Sequence, residues 1–392
     1  MSSGGASIRP VSATASSLKP ILLSTPWIDE DEASRVRQAL AGSTVGNGPF
    51  CQKVEKRLEA LLGIRRVLLT TSCTHAMELA LMALGIGPGQ SVVCPSFTFV
   101  STADAILRVG ARVIFADIEE RTLGLDPRDV ERRIEKDTTA LLPVHYAGLA
   151  AEMDGLLAIA GSRKLKLVED AAHGLGARFR GRPLGTLGQA GCFSFHETKN
   201  ITCGEGGAAC FPDEETAQRA EVIREKGTNR SAFLRGQVDK YTWVAEGSSY
   251  VLSDLLAAML DGQLEKLDRI QAGRARVTAA YRQALPAWAE RHGVRLPAVD
   301  ALRDGNDHIF HLLFASEGDR NRAMAALRAE GVMATFHYVP LHSSPHGRSL
   351  GQGGAPLPVT ESVAGRLLRL PLHPLLSEAD VERVIASVLR SL

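Results

Sequence analysis

Residues 66–118, RVLLTTSCTHAMELALMALGIGPGQSVVCPSFTFVSTADAILRVGARVIFADI, decide the fold class. Arg66 to Thr71 is an apolar, strand-forming run, Ser72-Cys73-Thr74 is a polar turn, and His75 to Leu84 has helical spacing. The unit then repeats: SVVCPS reads as a strand, Thr98 to Val109 as a helix, and ARVIFADI as a strand with Asp117 near its end. Nearly continuous apolar strands alternating with helices predict a mostly parallel sheet with helices on both faces, an α/β fold. A strand, polar turn and helix in that order also leave free N–H groups at a helix N-terminus, where an anion binds.

The alternation extends outward in both directions. Downstream, ALLPVHYAG is a strand, Met153 to Ser162 a helix, and KLKLVEDAA a strand ending in Glu169 and Asp170. Upstream, Asp29-Glu30-Asp31-Glu32 suits a helix N-terminus, and a second amphipathic helix covers Pro49 to Leu62. Beyond Thr216 the texture changes. A polar, aromatic stretch, GTNRSAFLRGQVDKYTW (227–243), precedes one long predicted helix from Ser253 to Leu285. HIFHLLF and VMATFHYVP predict strands flanking a helix from Asp319 to Glu330; Ser377 opens a closing helix with Asp380 at its N3 position. The predicted organisation is a large domain over 19–270 and a smaller C-terminal α+β domain over 271–392. Residues 1–18 lack an export pattern and are expected to form a flexible arm.

Composition narrows the function classes. Charged residues make up 23% and the net charge is +1, so no whole-chain field favours nucleic acid or an acidic membrane surface. The six cysteines form no C-x-x-C pair and no zinc-finger spacing, which predicts reduced thiols, no metal site and a cytoplasmic location. No apolar window is long enough for a membrane span.

Sheets of this kind bind ligands beyond the carboxyl ends of their strands. Polar and aromatic residues gather at those ends: Ser72 and Cys73, Phe97 to Phe99, His145 and Tyr146, and Asp170 and His173. Lys199 follows one more strand, inside FSFHETKNITCGEGGA (193–208). A lysine held between apolar neighbours loses its charge more readily, the condition an amine needs to attack a carbonyl; a solvated surface lysine is the alternative. Asp170 either caps a turn or faces a cation such as a pyridinium nitrogen, where it would keep an electron-sink ring protonated. His173 is either a cofactor contact or a turn histidine, and Phe99 either stacks on a flat ring or packs in the core. Ser72, Cys73 and Ser194 are small enough to let a phosphate approach backbone amides. G-x-G-x-x-G after a strand, the Walker A pattern, H-E-x-x-H and G-x-S-x-G are all missing from the sequence. A lysine, a strand-end aspartate, an aromatic ring and a phosphate cradle are together the parts of a pyridoxal phosphate site.

The arrangement EDAA-H-G, then FSFHETKN, then GEGGA resembles the DegT, DnrJ, EryC and StrS sugar aminotransferases, from about residue 20 to the C-terminus. PSFTFVSTADA, PVHYAG, HETKN, GTNRS with RGQVDKYTW, and FHYVPLH are most similar to the branch of dTDP-4-amino-4,6-dideoxygalactose transaminases. The resemblance implies the type I aminotransferase fold. It implies Lys199 as the Schiff-base lysine and proton shuttle, Asp170 at the pyridine nitrogen, and Phe99 on the ring. Ser72, Cys73 and Ser194 would hold the phosphate, and Asn229 would reach the cofactor of a second subunit in a homodimer with shared sites. His145, Glu205, Lys240 and Tyr241 are implied for the sugar-nucleotide pocket, as are His337, Tyr338 and His342. His173 stands where the family often has glutamine, and as a cofactor contact it would still donate to the cofactor 3′-oxygen. The implied substrates are L-glutamate and a dTDP-linked 4-keto-6-deoxyhexose. Amination of another keto sugar, such as a 3-keto sugar, and a non-catalytic regulatory role are the alternatives.

Overall fold

Seven short strands build the main sheet: β1 (Arg66–Thr70), β2 (Ser91–Pro95), β3 (Arg112–Ala116), β4 (Thr138–Leu141) and β5 (Lys166–Asp170) in its first half. The ribbons β6 (Arg178–Phe179) and β7 (Arg182–Pro183) intervene before β8 (Ala190–Ser194) and β9 (Gly207–Phe211) complete it. This computed structural model describes residues 19–351 and 356–392. The arm expected at residues 1–18 lies outside the described residues.

The sheet order is β1-β9-β8-β5-β4-β2-β3. Every neighbour pair is parallel except those of β9, which runs against both β1 and β8. Side chains alternate between faces, as the two-residue period of a strand requires. Leu68, Val92 and Val113 pack under the helices Cys73–Ala83 and Val100–Arg108 on one face. Val93 and Ile114 face the core that includes Met153 and Leu156 on the other, and Val67 and Leu69 join a neighbouring core with Val54 and Leu58. With both faces covered, only the strand ends remain open to ligand.

A separate core holds Val277, Tyr281, Phe310, Leu327, Leu368 and Val384. The helix Leu267–Ala284 crosses between cores: Ile270 packs with the large sheet's helices, Val277 and Tyr281 with the smaller core. Ile21, expected with the large domain, belongs to the smaller core and bridges Val332.

Local sequence signals explain the element ends. Asp29 with Glu32, and Ser377 with Asp380, each form a reciprocal capping box. Two expectations need correction. The long helix is two, Asp254–Glu265 and Leu267–Ala284, separated at Lys266, whose ammonium turns inward to Glu32 at 2.8 Å. VMATFHYVP is not a strand: Val332 and Thr335 make single bridges to Ile21 and Arg369. After the short β10 (Arg303–Asp304), β11 (Phe310–Leu313) pairs instead with β12 (Leu367–Leu370), a run the sequence reading passed over.

Candidate active site

The carboxyl ends of β1, β5 and β8 and the start of the reversed β9 meet around a cavity of about 470 Å³, large enough for a drug-sized ligand. Ser72, Cys73, Phe99, Asp170, His173 and Ser194 line it. Lys199, Glu205, His337 and Tyr338 do so as well.

One end is a helix N-terminus. Ser72 caps Cys73–Ala83, its Oγ accepting from the His75 amide at 3.1 Å. First-turn amides have no partner inside their helix and carry the positive end of its dipole, so a phosphate would be held there. Gly207 sits against this turn: a Cβ there would fall on the Ser72 carbonyl and the Cys73 amide. Gly207→Ala is therefore expected to push the turn outward and weaken pyridoxal phosphate binding by on the order of tenfold, since overpacking costs about 1–3 kcal/mol. Titration of the cofactor-free protein measures this, with unchanged circular dichroism as the control; unaltered affinity would remove Gly207 from the cradle.

Asp170 closes the far end. Its carboxylate accepts from Thr102 Oγ1 at 2.8 Å and from the Ala172 amide at 3.1 Å. Burial raises its pKa despite those bonds, so the site favours a cation placed against it. Phe99 stands at a helix N-cap and is 59% exposed; it is a pocket wall, not a core aromatic. His173 Nδ1 accepts from the Ala147 amide at 3.3 Å, and burial holds the ring neutral. Its proton is then on Nε2, the donor form.

Lys199 is half-buried between these ends, on a turn closed by its own amide to the His196 carbonyl at 2.9 Å. Surrounding protein pulls the ammonium down to about 8; Arg369 pushes the same way and Asp170 opposes. A lysine that gives up its proton near neutral pH is a nucleophile and a proton carrier. At the mouth, His196 Nε2 lies 3.5 Å from Glu205 Oε1.

Five candidates lie elsewhere. His145 is fully buried, its Nε2 2.9 Å from Glu169 Oε2 and its Nδ1 accepting from the Ala151 amide. Both ring nitrogens are used inside the protein, so the expected sugar-pocket role gives way to a structural one. His342 is likewise buried, with Nδ1 2.7 Å from Ser96 Oγ and Nε2 3.2 Å from Glu361. Asn229 ties down its own loop, accepting from the Thr242 amide at 2.7 Å. Lys240 and Tyr241 are exposed on that same loop, away from this pocket. Among the pocket residues that escaped the sequence reading are Thr102, His308 and Arg369. Thr102 carried a signal, since it falls on the sheet-facing side of a helix that follows a strand end. Arg369 carried none, because its strand was not recognised.

A pyridinium ring with a phosphate at one edge fits these residues: the free helix N-terminus would take the phosphate, the buried Asp170 would face the ring nitrogen, and Phe99 would cover a face. That fit, at the carboxyl edge of this sheet, points to the class of pyridoxal phosphate-dependent enzymes. Known proteins agree. DesV of S. venezuelae, solved in complex with a ketimine intermediate, shares the fold with a TM-score of 0.85 and 32% identity, over 95% of this chain and 98% of that one. The aminotransferase TlmJ of Streptoalloteichus hindustanus gives 0.87 and 30%, again over 95% and 98%. SpsC, a spore coat polysaccharide biosynthesis protein of Bacillus subtilis, is 34% identical over 376 residues, 93% of this chain and 95% of its own length. Residues 26–389 match the model of the DegT/DnrJ/EryC1/StrS aminotransferase family, and the chain belongs to that family. It is a sugar aminotransferase, and its cofactor is pyridoxal phosphate.

Proposed function

We propose that the protein moves the amino group of L-glutamate to C4 of a dTDP-4-keto-6-deoxyhexose, giving a dTDP-4-amino-4,6-dideoxyhexose. The observation that carries the reading is Lys199 and Asp170 facing one cavity whose mouth holds the polar pair His196 and Glu205. The motifs HETKN and FHYVPLH, most similar to the dTDP-sugar branch, supply residues to the same cavity.

The cofactor, when bound, stores the amino group between donor and acceptor and draws off the electrons of the broken C–H bond. The protein's residues do the rest. Lys199 Nζ takes the proton from the donor Cα and later delivers one to C4 of the sugar. Asp170 holds the opposing charge, and Ser72, Cys73 and Ser194 fix the phosphate edge. Glu205 and His196 meet the sugar hydroxyls.

Two further parts of the proposal concern assembly and place. Phe233, Leu234, Tyr241, Trp243 and Val244 are exposed together around Asn229. That apolar surface supports a homodimer in which Asn229, Lys240 and Tyr241 reach the partner's site. Among the described residues no helix is long and apolar enough to cross a membrane, and we place the enzyme in the cytoplasm. The two cores support division into a pyridoxal phosphate-binding domain to about residue 270 and a small domain after it.

Incubation with L-glutamate and dTDP-4-keto-6-deoxyglucose, followed by NMR of the product, tests the substrate assignment. An amine at C4 is expected, and its axial or equatorial setting reads the stereochemistry. Turnover of a 3-keto sugar with none of the 4-keto sugar would overturn it.

A further inference from the structure

Residues 305–309 lead into β11 of the smaller core's two-stranded sheet and bring His308 to the wall of the cavity. The segment is fixed along its length. Asn306 Nδ2 donates to the His173 and Leu175 carbonyls at 2.6 and 2.9 Å. The buried Arg274 donates to the Asp307 and His308 carbonyls at 3.0 and 2.7 Å. Asp307 sits at φ 51°, a left-handed conformation uncommon outside glycine, and those bonds hold it there. The His308 ring is buried, its centroid 4.3 Å from that of His173. Its Nδ1 lies 2.8 Å from Oδ1 of Asn200, the residue after Lys199. Asn200 Nδ2 donates to the Asn306 carbonyl at 2.9 Å and to Gln271 Oε1 at 3.1 Å. A backbone carbonyl only accepts, so the amide cannot be turned round, and Oδ1 is the atom that faces His308. Burial keeps the ring neutral. Its one proton is therefore on Nδ1, and Nε2 is bare.

We propose that His308 is a positioning residue for Lys199, acting through the bond from its Nδ1–H to Asn200. The turn that carries Lys199 is held on one side by the Lys199 amide, which donates to the His196 carbonyl at 2.9 Å. On the other side it is held by the Asn200 side chain, whose partners among the described residues are Gln271, Asn306 and His308. These three lie on the helix Leu267–Ala284 and on the segment before β11, outside the sheet whose end bears the lysine. Lys199 is thus set from the large sheet through its backbone, and from the smaller core's side through its neighbour's amide. Three hydrogen bonds leave that amide one orientation, and the donor from His308 completes the set. A lysine that captures the cofactor and then moves protons at two carbon atoms needs such a fixed base. A displacement of about 1 Å at a reacting group can cost on the order of a hundredfold in rate. The assignment rests on Lys199 as the cofactor-capturing lysine, and it stands apart from which keto sugar is the acceptor.

The test exploits the two ends of the ring. Asparagine places an amide N–H where histidine Nδ1 stands, whereas glutamine places its amide at the Nε2 end. Full-length protein stripped of cofactor is mixed with pyridoxal phosphate, and the rise of the visible band of lysine-bound cofactor is timed. Holoenzyme is then mixed with L-glutamate, and the loss of that band gives a maximal rate and a half-saturating concentration. His308→Gln is expected to slow capture about tenfold and the maximal rate about ten- to a hundredfold, with half-saturation within about twofold, because a displaced reacting group costs rate and not binding. His308→Asn should recover most of both. Asn200→Ala should show the same losses and add little when combined with His308→Gln, since the two residues act through one bond; it carries the test if the glutamine variant does not fold. Capture at the wild-type rate in His308→Gln or Asn200→Ala would overturn the proposal. So would better recovery by glutamine than by asparagine, which would place the role at Nε2, or losses that multiply in the double variant. A visible band that persists in Lys199→Ala would remove the lysine assignment and this proposal with it. A wrong acceptor sugar shows differently: the variants would keep the order above while no 4-keto sugar is aminated.

Discussion

Lys199→Ala is expected to lose transamination by about 10⁴-fold or more, because it removes a covalent anchor and a general acid–base whose share alone reaches about 10⁴. The purified variant should still fold, since Lys199 stands in a turn closed by backbone atoms and contributes no ion pair among the described residues. It should lack the visible band of lysine-bound cofactor. Near-normal turnover in this variant would sink the assignment. The same amine sets a pH dependence. In cofactor-free protein Lys199 titrates at about 8 against an ordinary 10.5, and only the neutral amine attacks a carbonyl. Lowering the pKa therefore raises the reactive fraction at neutral pH. The rate of pyridoxal phosphate capture should climb about tenfold per pH unit below 8 and level off above it. A rate still climbing at pH 10 would show an unperturbed surface lysine instead.

Asp170→Asn is expected to lower kcat by roughly 10²–10³, the cost of removing one preorganised charge from a buried site. The substitution is nearly isosteric, and the Thr102 hydroxyl still has an oxygen to meet. Both half-reactions should slow together, because the ring nitrogen is used in each. Measuring the two halves separately checks this. A kcat within about threefold of wild type would return Asp170 to the status of a turn cap.

Much of this was legible before any coordinates. Apolar runs such as RVLLTT and KLKLVED mark buried strands of one sheet, and their ends bring Ser72 and Asp170 to one edge whatever the loop details. Lys199 could be singled out because its neighbours are apolar while its own stretch is not. The histidines were less readable. His145 and His337 look alike in sequence, yet one is consumed by Glu169 inside the large core and the other lines the cavity. A histidine's role depends on which atoms surround it, and that is set by contacts between distant segments. β12 was hidden for a similar reason. LLRL is four residues between a helix and Pro371, too short for a period, while VMATFHYVP has strand-forming residues but meets its neighbours one residue at a time. Tertiary pairing outweighed propensity in both places.

The reversed strand β9 has a consequence for how the molecule is made. Among the described residues β1 has β9 as its only neighbour in the seven-stranded sheet, with Arg66 opposite Phe211 and Thr70 opposite Gly207. During synthesis β2 to β5 and β8 can pair as they emerge, but β1 waits for the last strand of the sheet. The first strand made is thus among the last placed, and the Ser72 turn has no Gly207 to rest on until then. The nascent chain must carry an apolar strand, RVLLT, without its sheet neighbour over that interval, a state prone to wrong association.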